Sequence, residues 1–266
     1  MSNIDQTGGG FLPPSPAPTA TSTATANTFS GNASPLPHPR GHALKAGSAK
    51  EDKIRNYISD RLAHINRRLV TKPEEEIDNN IKPYTSLADL CQTDLDPLIN
   101  IIWLSGTPAL QIPYLLNIAS DFNDWLQTPT SFSVAHKASS PTIFGTLSKL
   151  DHCFASLLCG RDFVTSEPLP GFFNSASATG GSGMSKTDMV RLKSTVQQTR
   201  VVIVDVLDND DDGETSRVEE LDDQDGEEGD DYDGDEWDDR EKERMFMDVA
   251  RVYENTLVKL GELLLE

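Results

Sequence analysis

The stretch GGSGMSKTDMVRLKSTVQQTRVVIVD, Gly180 to Asp205, decides the fold because it supports two incompatible readings. As a nucleotide site, Gly180 is followed after four residues by Ser185-Lys186-Thr187. That is one glycine short of the phosphate-binding pattern G-x-x-x-x-G-K-[ST]. Val201 to Asp205 then imitates the apolar run whose final aspartate holds magnesium. A phosphate loop needs a strand before it and a bare backbone cradle. FFNSASAT precedes Gly180, and Ser185 puts a side chain where the last glycine belongs. The second reading is a helix. Met189, Leu192, Val196, Thr199, Ile203 and Val206 recur at spacings of three and four, one apolar stripe running straight through VVIVD. The helical reading therefore wins, with a Gly/Ser loop capping a core helix and no nucleotide cofactor expected.

The same period extends in both directions. Ile54, Ile58, Leu62, Ile65 and Leu69 draw a stripe along a helix over roughly 50 to 71. Thr85 or Ser86 caps a short helix carrying Leu87, Leu90 and Cys91. Asp96-Pro97, Thr107-Pro108 and Ser140-Pro141 each place a capping side chain before a proline at a first helical position. The helices they open carry LINIIWL, then Leu110 to Trp125 around Pro113, then Ile143, Leu147, Leu150, Phe154 and Leu157 up to Gly160. Phe246, Val249, Tyr253, Leu257, Leu260 and Leu264 form a last stripe over about 238 to 265. No alternating strand pattern is visible, so the fold class expected is all-α, an irregular bundle of about six helices.

Two stretches lack the apolar content of a core. Residues 1–48 are rich in Pro, Ser, Thr, Ala and Gly, and are expected to be a disordered arm. The second is acidic: between Asp208 and Asp239 stand nineteen Asp and Glu against Arg217 alone, which supplies nearly all of the net charge of −20. The expected organisation is an arm over 1–48, a helical body over 49–207, a disordered acidic insert over 208–237, and a C-terminal helix over 238–266 packing on the body. Neither a basic-then-apolar leader nor a membrane-length apolar run is present, so a soluble intracellular chain without membrane contact is expected.

Three further patterns bear on chemistry. Asp208, Asp210, Asp212, Gly213 and Glu219 satisfy the calcium-loop pattern D-x-[DN]-x-[DN]-G-x5-E, although Thr215 stands at the apolar eighth position. Arg40 to Lys72 carries nine Lys and Arg against three acids, and Arg55, Arg61, Arg67 and Arg68 are the candidate nucleic-acid contacts of the first helix. Cys91, Cys153 and Cys159 are odd in number, fitting plain buried thiols in a reducing compartment. His152 and Cys159 could share a helix face, but zinc would need two more ligands. None of the five histidines sits in a nucleophile context, so no catalytic residue and no cofactor is expected.

WLSGTPALQIPYLL, KLDHCFASLLCGRD with EPLPGF after it, TRVVIVDVLD and VARVYENTLVKLGELL, scattered from Trp103 to the C-terminus, resemble a family of fungal helical proteins. Some of its members carry the label of a meiotic recombination protein, after a RecA-type ATPase with a parallel sheet and an intact phosphate loop. The resemblance implies a nuclear or meiotic setting and brings no site residues with it.

These readings converge on a non-catalytic intracellular adaptor or scaffold, nuclear rather than cytoplasmic. Its helical body would hold a helical protein partner, and its acidic insert a basic partner such as a histone. The alternative is a recombination-associated nucleic-acid-binding protein acting through the basic first helix.

Overall fold

Helix α1, Ala49–Val70, begins where Ser48 accepts a hydrogen bond from the Glu51 amide. Glu51 and Asp52 lie in its first turn and Arg67 and Arg68 in its last, each sign at the end of the helix dipole that favours it. Its stripe is the expected one: Ile58 and Ile65 are buried, with Ile54, Leu62 and Leu69 packed alongside. The computed structural model describes residues 35–71, 82–127, 136–172, 184–215 and 235–265, all within one compact unit spanning Ser34–Glu266.

Ser86 caps α2, Leu87–Leu90, through the Asp89 amide. The helix does not stop there. It widens into a π turn, Cys91–Leu95, and continues as α3, Asp96–Leu104. The sequence reading put a fresh N-cap at Asp96, whereas its backbone is helical (φ −58°, ψ −47°). A regular helix would press the Pro97 ring against the Thr93 carbonyl, and the wider turn just before it relieves that clash. Asp96, not needed as a cap, instead accepts from Thr146 and Lys149 on α5.

Helices α4, Pro108–Gln127, and α5, His136–Cys159, run through Pro113 and Pro141. Helix α5 starts a turn earlier than Ser140-Pro141 predicts. Gly160 (φ +66°) ends it, and the Arg161 amide reaches back to the Ser156 carbonyl at 3.2 Å, the bond that closes a helix C-terminus through a left-handed glycine. Helix α5 is central, packing on α2, α3, α4, α6, α7 and α8.

Helix α6, Lys186–Thr215, confirms the helical reading of VVIVD: Val202 and Ile203 are buried while Val201 and Val204 are exposed. The last stripe departs from expectation. It forms two helices, α7, Asp235–Arg251, and α8, Glu254–Leu264, separated by Tyr253 in the left-handed region (φ 55°, ψ 29°). Among the described residues these eight α-helices and one π turn are joined by no strand, and Arg161 and Pro168 form an isolated bridge. The all-α class holds. No described helix is long and apolar enough to cross a membrane.

Order begins before residue 49. Residues 35–44 lie across the body as a strap: Leu36 is buried, the Leu44 amide donates to Thr107 Oγ1 at 2.9 Å, and His38 meets Glu167 at 2.8 Å. Composition hides this because one buried leucine among prolines gives no period. Residues 1–34 lie outside the described part of the chain. Helices α6 and α7 extend into the stretch assigned to the acidic insert, to Thr215 and from Asp235, and residues 216–234 also lie outside it.

Gly106 fixes the seat of the strap. At φ +54°, a β-carbon there would come within 2.7 Å of Pro170 Cγ and 3.0 Å of Arg40 Cγ. Gly106→Ala is expected to cost about 2 kcal/mol, from the left-handed backbone and the clash together. The check is a lower urea midpoint with an unchanged slope; an unchanged midpoint would mean that the strap gives way freely.

Candidate functional site

The π turn delivers a buried carboxylate, Asp94, to the inner face of α1. Its Oδ1 accepts from Arg61 at 2.8 Å. Its Oδ2 accepts from Arg68 at 2.9 Å, the Tyr84 hydroxyl at 2.6 Å and Thr93 at 3.2 Å. Arg68 also donates to the Lys82 carbonyl, and its guanidinium lies 3.7 Å from the Tyr84 ring centroid. Burial raises the Asp94 carboxyl, but the Tyr84 hydrogen bond and the charges of Arg61 and Arg68 outweigh it, leaving the group below the usual carboxylate range. Tyr84, desolvated and donating to Asp94, is pushed well above its ordinary value.

This cluster redistributes the residues proposed as nucleic-acid contacts. Arg61 and Arg68 converge on Asp94, and Arg55 pairs with Glu51 at 2.7 Å. Arg67, exposed, donates to the Ala63 carbonyl of its own helix. Three of the four are thus paired with acids of the same chain. Two of them act as internal clamps between α1 and the π turn.

A second carboxylate works at the other end of the body. Asp151 on α5 is buried, and its Oδ1 accepts from the Thr256 amide at 2.8 Å and the Thr256 hydroxyl at 2.6 Å. Its Oδ2 accepts from the Asn255 side chain at 2.9 Å and the Asn255 amide at 3.3 Å. Helix α8 is thus capped by a side chain from another helix, with negative charge at its positive end.

A third pair joins α5 to the loop after it. His152 Nε2 lies 2.9 Å from Asp162 Oδ2, with Trp103 edge-on to the imidazole at 5.8 Å between centroids. Asp162 Oδ1 accepts from the amides of Val164 and Thr165. Burial raises the Asp162 carboxyl, while the Thr165 amide and His152 bring it below its ordinary value. The neighbouring Cys153 thiol is pushed well above its ordinary value by burial. A shallow cleft of about 220 Å³ opens beside Asp162, walled by the strap and by Thr165 to Pro170.

The other motifs fall as follows. Ser185 is an N-cap: it accepts from the Asp188 amide at 3.1 Å and donates to the Asp188 carboxylate at 2.7 Å. Lys186 opens α6, Asp205 is one of its turns, and Gly180 lies outside the described residues. Asp208, Asp210 and Asp212 lie on the helical backbone of α6, not on a loop, and Glu219 lies outside the described residues. Cys91 and Cys153 are buried as expected, whereas Cys159 is exposed. Among the described residues, no three His, Cys, Asp or Glu side chains gather as a metal site.

The sequence reading missed Asp94 and Asp151. For Asp151 a signal existed, since it is a lone acid among the apolar residues of KLDHCF, whereas Asp94 shares TDLDP with Asp96, and periodicity alone cannot say which donors will meet either.

A family model described as subunit 11 of the general transcription factor TFIIH, TFB6, matches residues 83–261. That span holds Tyr84, Asp94, Asp151, Asp162 and Thr256, while Arg61 and Arg68, the charged donors to Asp94, precede it. The chain belongs to the TFB6 family. Among curated proteins, the general transcription and DNA repair factor IIH subunit TFB6 of Saccharomyces cerevisiae is 25% identical over 194 residues, 60% of this chain and 54% of that protein. The chain thus spans about half the length of the curated TFB6 relative that it matches. No solved structure matches it. The fungal helical resemblance was correct in kind, but its meiotic recombination label is not supported: the TFB6 description is of a transcription factor subunit. A general transcription factor works in the nucleus, which places the chain there.

Proposed function

We propose that the chain is a non-catalytic subunit of a TFIIH-type transcription and DNA repair assembly, held by its helical body and presenting its acidic segment to a basic protein surface. The family match over residues 83–261 carries this reading, because it spans the helices from α2 to α8. The site chemistry supports it. Asp94, Asp151 and Asp162 each accept several hydrogen bonds from within the chain, so these three carboxylates serve to fix helices and the loop after α5 in place. Engagement of Arg55, Arg61 and Arg68 with acids of the same chain weakens the alternative reading, contact with nucleic acid through α1.

Affinity purification of the tagged full chain from nuclear extract tests the proposal. TFIIH subunits are expected with the wild-type chain. A variant with the acids from Glu219 to Asp233 changed to Asn or Gln should keep those subunits and lose basic proteins washed off by moderate salt. Recovery without TFIIH subunits would overturn the reading.

A further inference from the structure

The cleft beside Asp162 lies between two proline-rich segments. Each carries the triplet Pro-Leu-Pro, at 35–37 on the strap and at 168–170 after α5. Leu36 and Leu169 are buried, and Pro37, Pro39, Pro168 and Pro170 line the opening. The walls are built to hold their spacing. Pro170 and Arg40 both pack against Gly106, and the Leu44 amide is tied to Thr107. The loop is closed by bonds from the Asp162 amide to the Glu167 carbonyl and from the Leu169 amide to the Gly160 carbonyl. His38 and Glu167, both exposed, join the two walls at the rim.

Size, charge and an unused acceptor select the occupant. At about 220 Å³ the cleft is smaller than the roughly 300–1,000 Å³ of a site for a cofactor or drug-sized molecule, and it suits a single side chain. Arg40 and His38 stand against Asp162 and Glu167 around it, so neither sign of charge dominates and an ionic ligand gains little. Proline-rich segments are instead recognised by aromatic rings. At the rim, Glu167 Oε2 pairs with His38, whereas Oε1 has no partner among the described residues. We infer that the cleft is an anchor site for one aromatic side chain of a partner protein, a tryptophan or tyrosine whose ring packs on the prolines and whose N–H or O–H donates to Glu167. The inference rests on reading the chain as a docking subunit and adds one point at which the helical body holds its partner.

The test adds N-acetyl-tryptophanamide to the isotope-labelled full chain and follows the backbone amides by NMR. Saturable millimolar binding is expected, with the largest shifts at Gly41, Thr165, Glu167 and Leu169. N-acetyl-phenylalaninamide has a ring without the donor, and N-acetyl-leucinamide has neither. The first should bind about tenfold more weakly, the worth of one hydrogen bond to a carboxylate, and the second not measurably. Glu167→Ala should erase the difference between the tryptophan and phenylalanine amides, and Glu167→Gln, which keeps an acceptor, should restore part of it. Glu167 is exposed, so the melting temperature should hold in both variants. Shifts elsewhere, equal binding of the leucine amide, or a preference for tryptophan that survives Glu167→Ala would overturn the anchor. If TFIIH subunits still co-purify with the wild-type chain in that case, the subunit reading survives without it. Binding of the amide as expected, without that co-purification, would keep the anchor and remove the assembly.

Discussion

Asp94→Ala is expected to cost about 3–5 kcal/mol, the range found when one member of a buried ion pair is removed and its partner is left uncompensated. Four donors would lose their acceptor, and two of them, on Arg61 and Arg68, are charged. Exposed pairs such as Lys259 with Glu262 are worth well under 1 kcal/mol by comparison. For a body of this size the melting temperature should fall by roughly 10 °C. The pH dependence has a definite sign. Because the folded-state Asp94 carboxyl titrates below its unfolded value, its contribution is complete above about pH 4 and is lost as pH falls through the folded value. The gap between wild type and Asp94→Asn in urea denaturation should therefore be full at pH 7 and shrink below about pH 4. A gap constant down to acid pH would mean that packing, and not charge, carries the effect.

The second large effect belongs to Asp151. Its removal should cost about 3 kcal/mol, more than an ordinary surface cap, because the donors of Asn255 and Thr256 would remain partly or fully buried. The loss should also be local. Amide exchange in α8 should accelerate well beyond that in α4, which Asp151 does not touch, and Asp151→Asn should fall between the two because one side-chain oxygen survives. Uniform acceleration across all helices would show that α8 unfolds only with the rest of the body.

Asp151 also explains where the sequence misleads. The stripe from Phe246 to Leu264 has helical spacing without a break, yet the chain turns at Tyr253. A left-handed non-glycine residue costs about 1–2 kcal/mol. Burying an aromatic of 150–250 Å² at about 25 cal/mol per Å² is worth roughly 4–6 kcal/mol as an upper estimate. Tyr253 is fully buried against Phe154, so the turn wins, and Asp151 takes the amides that a continuous helix would have used. The π turn was illegible for a related reason. Asp96-Pro97 has the form of a helix start, and only the neighbouring helices α1 and α5 decide that the chain stays helical with Asp94 turned inward. By contrast, the stripes of α1, α4, α5 and α6 were legible because each buries one face continuously. The four arginines of α1 show the limit for sites: sequence gives their sign and spacing, while their partners lie 26 to 33 residues away for Arg68 and Arg61 on Asp94.

The proposed role is docking within a TFIIH-type assembly. Its most direct test is sedimentation of the purified full chain mixed with TFIIH purified from the same organism. Co-sedimentation at about one copy per complex, unchanged by ATP, is the predicted result; a chain that sediments alone at micromolar concentration would contradict it.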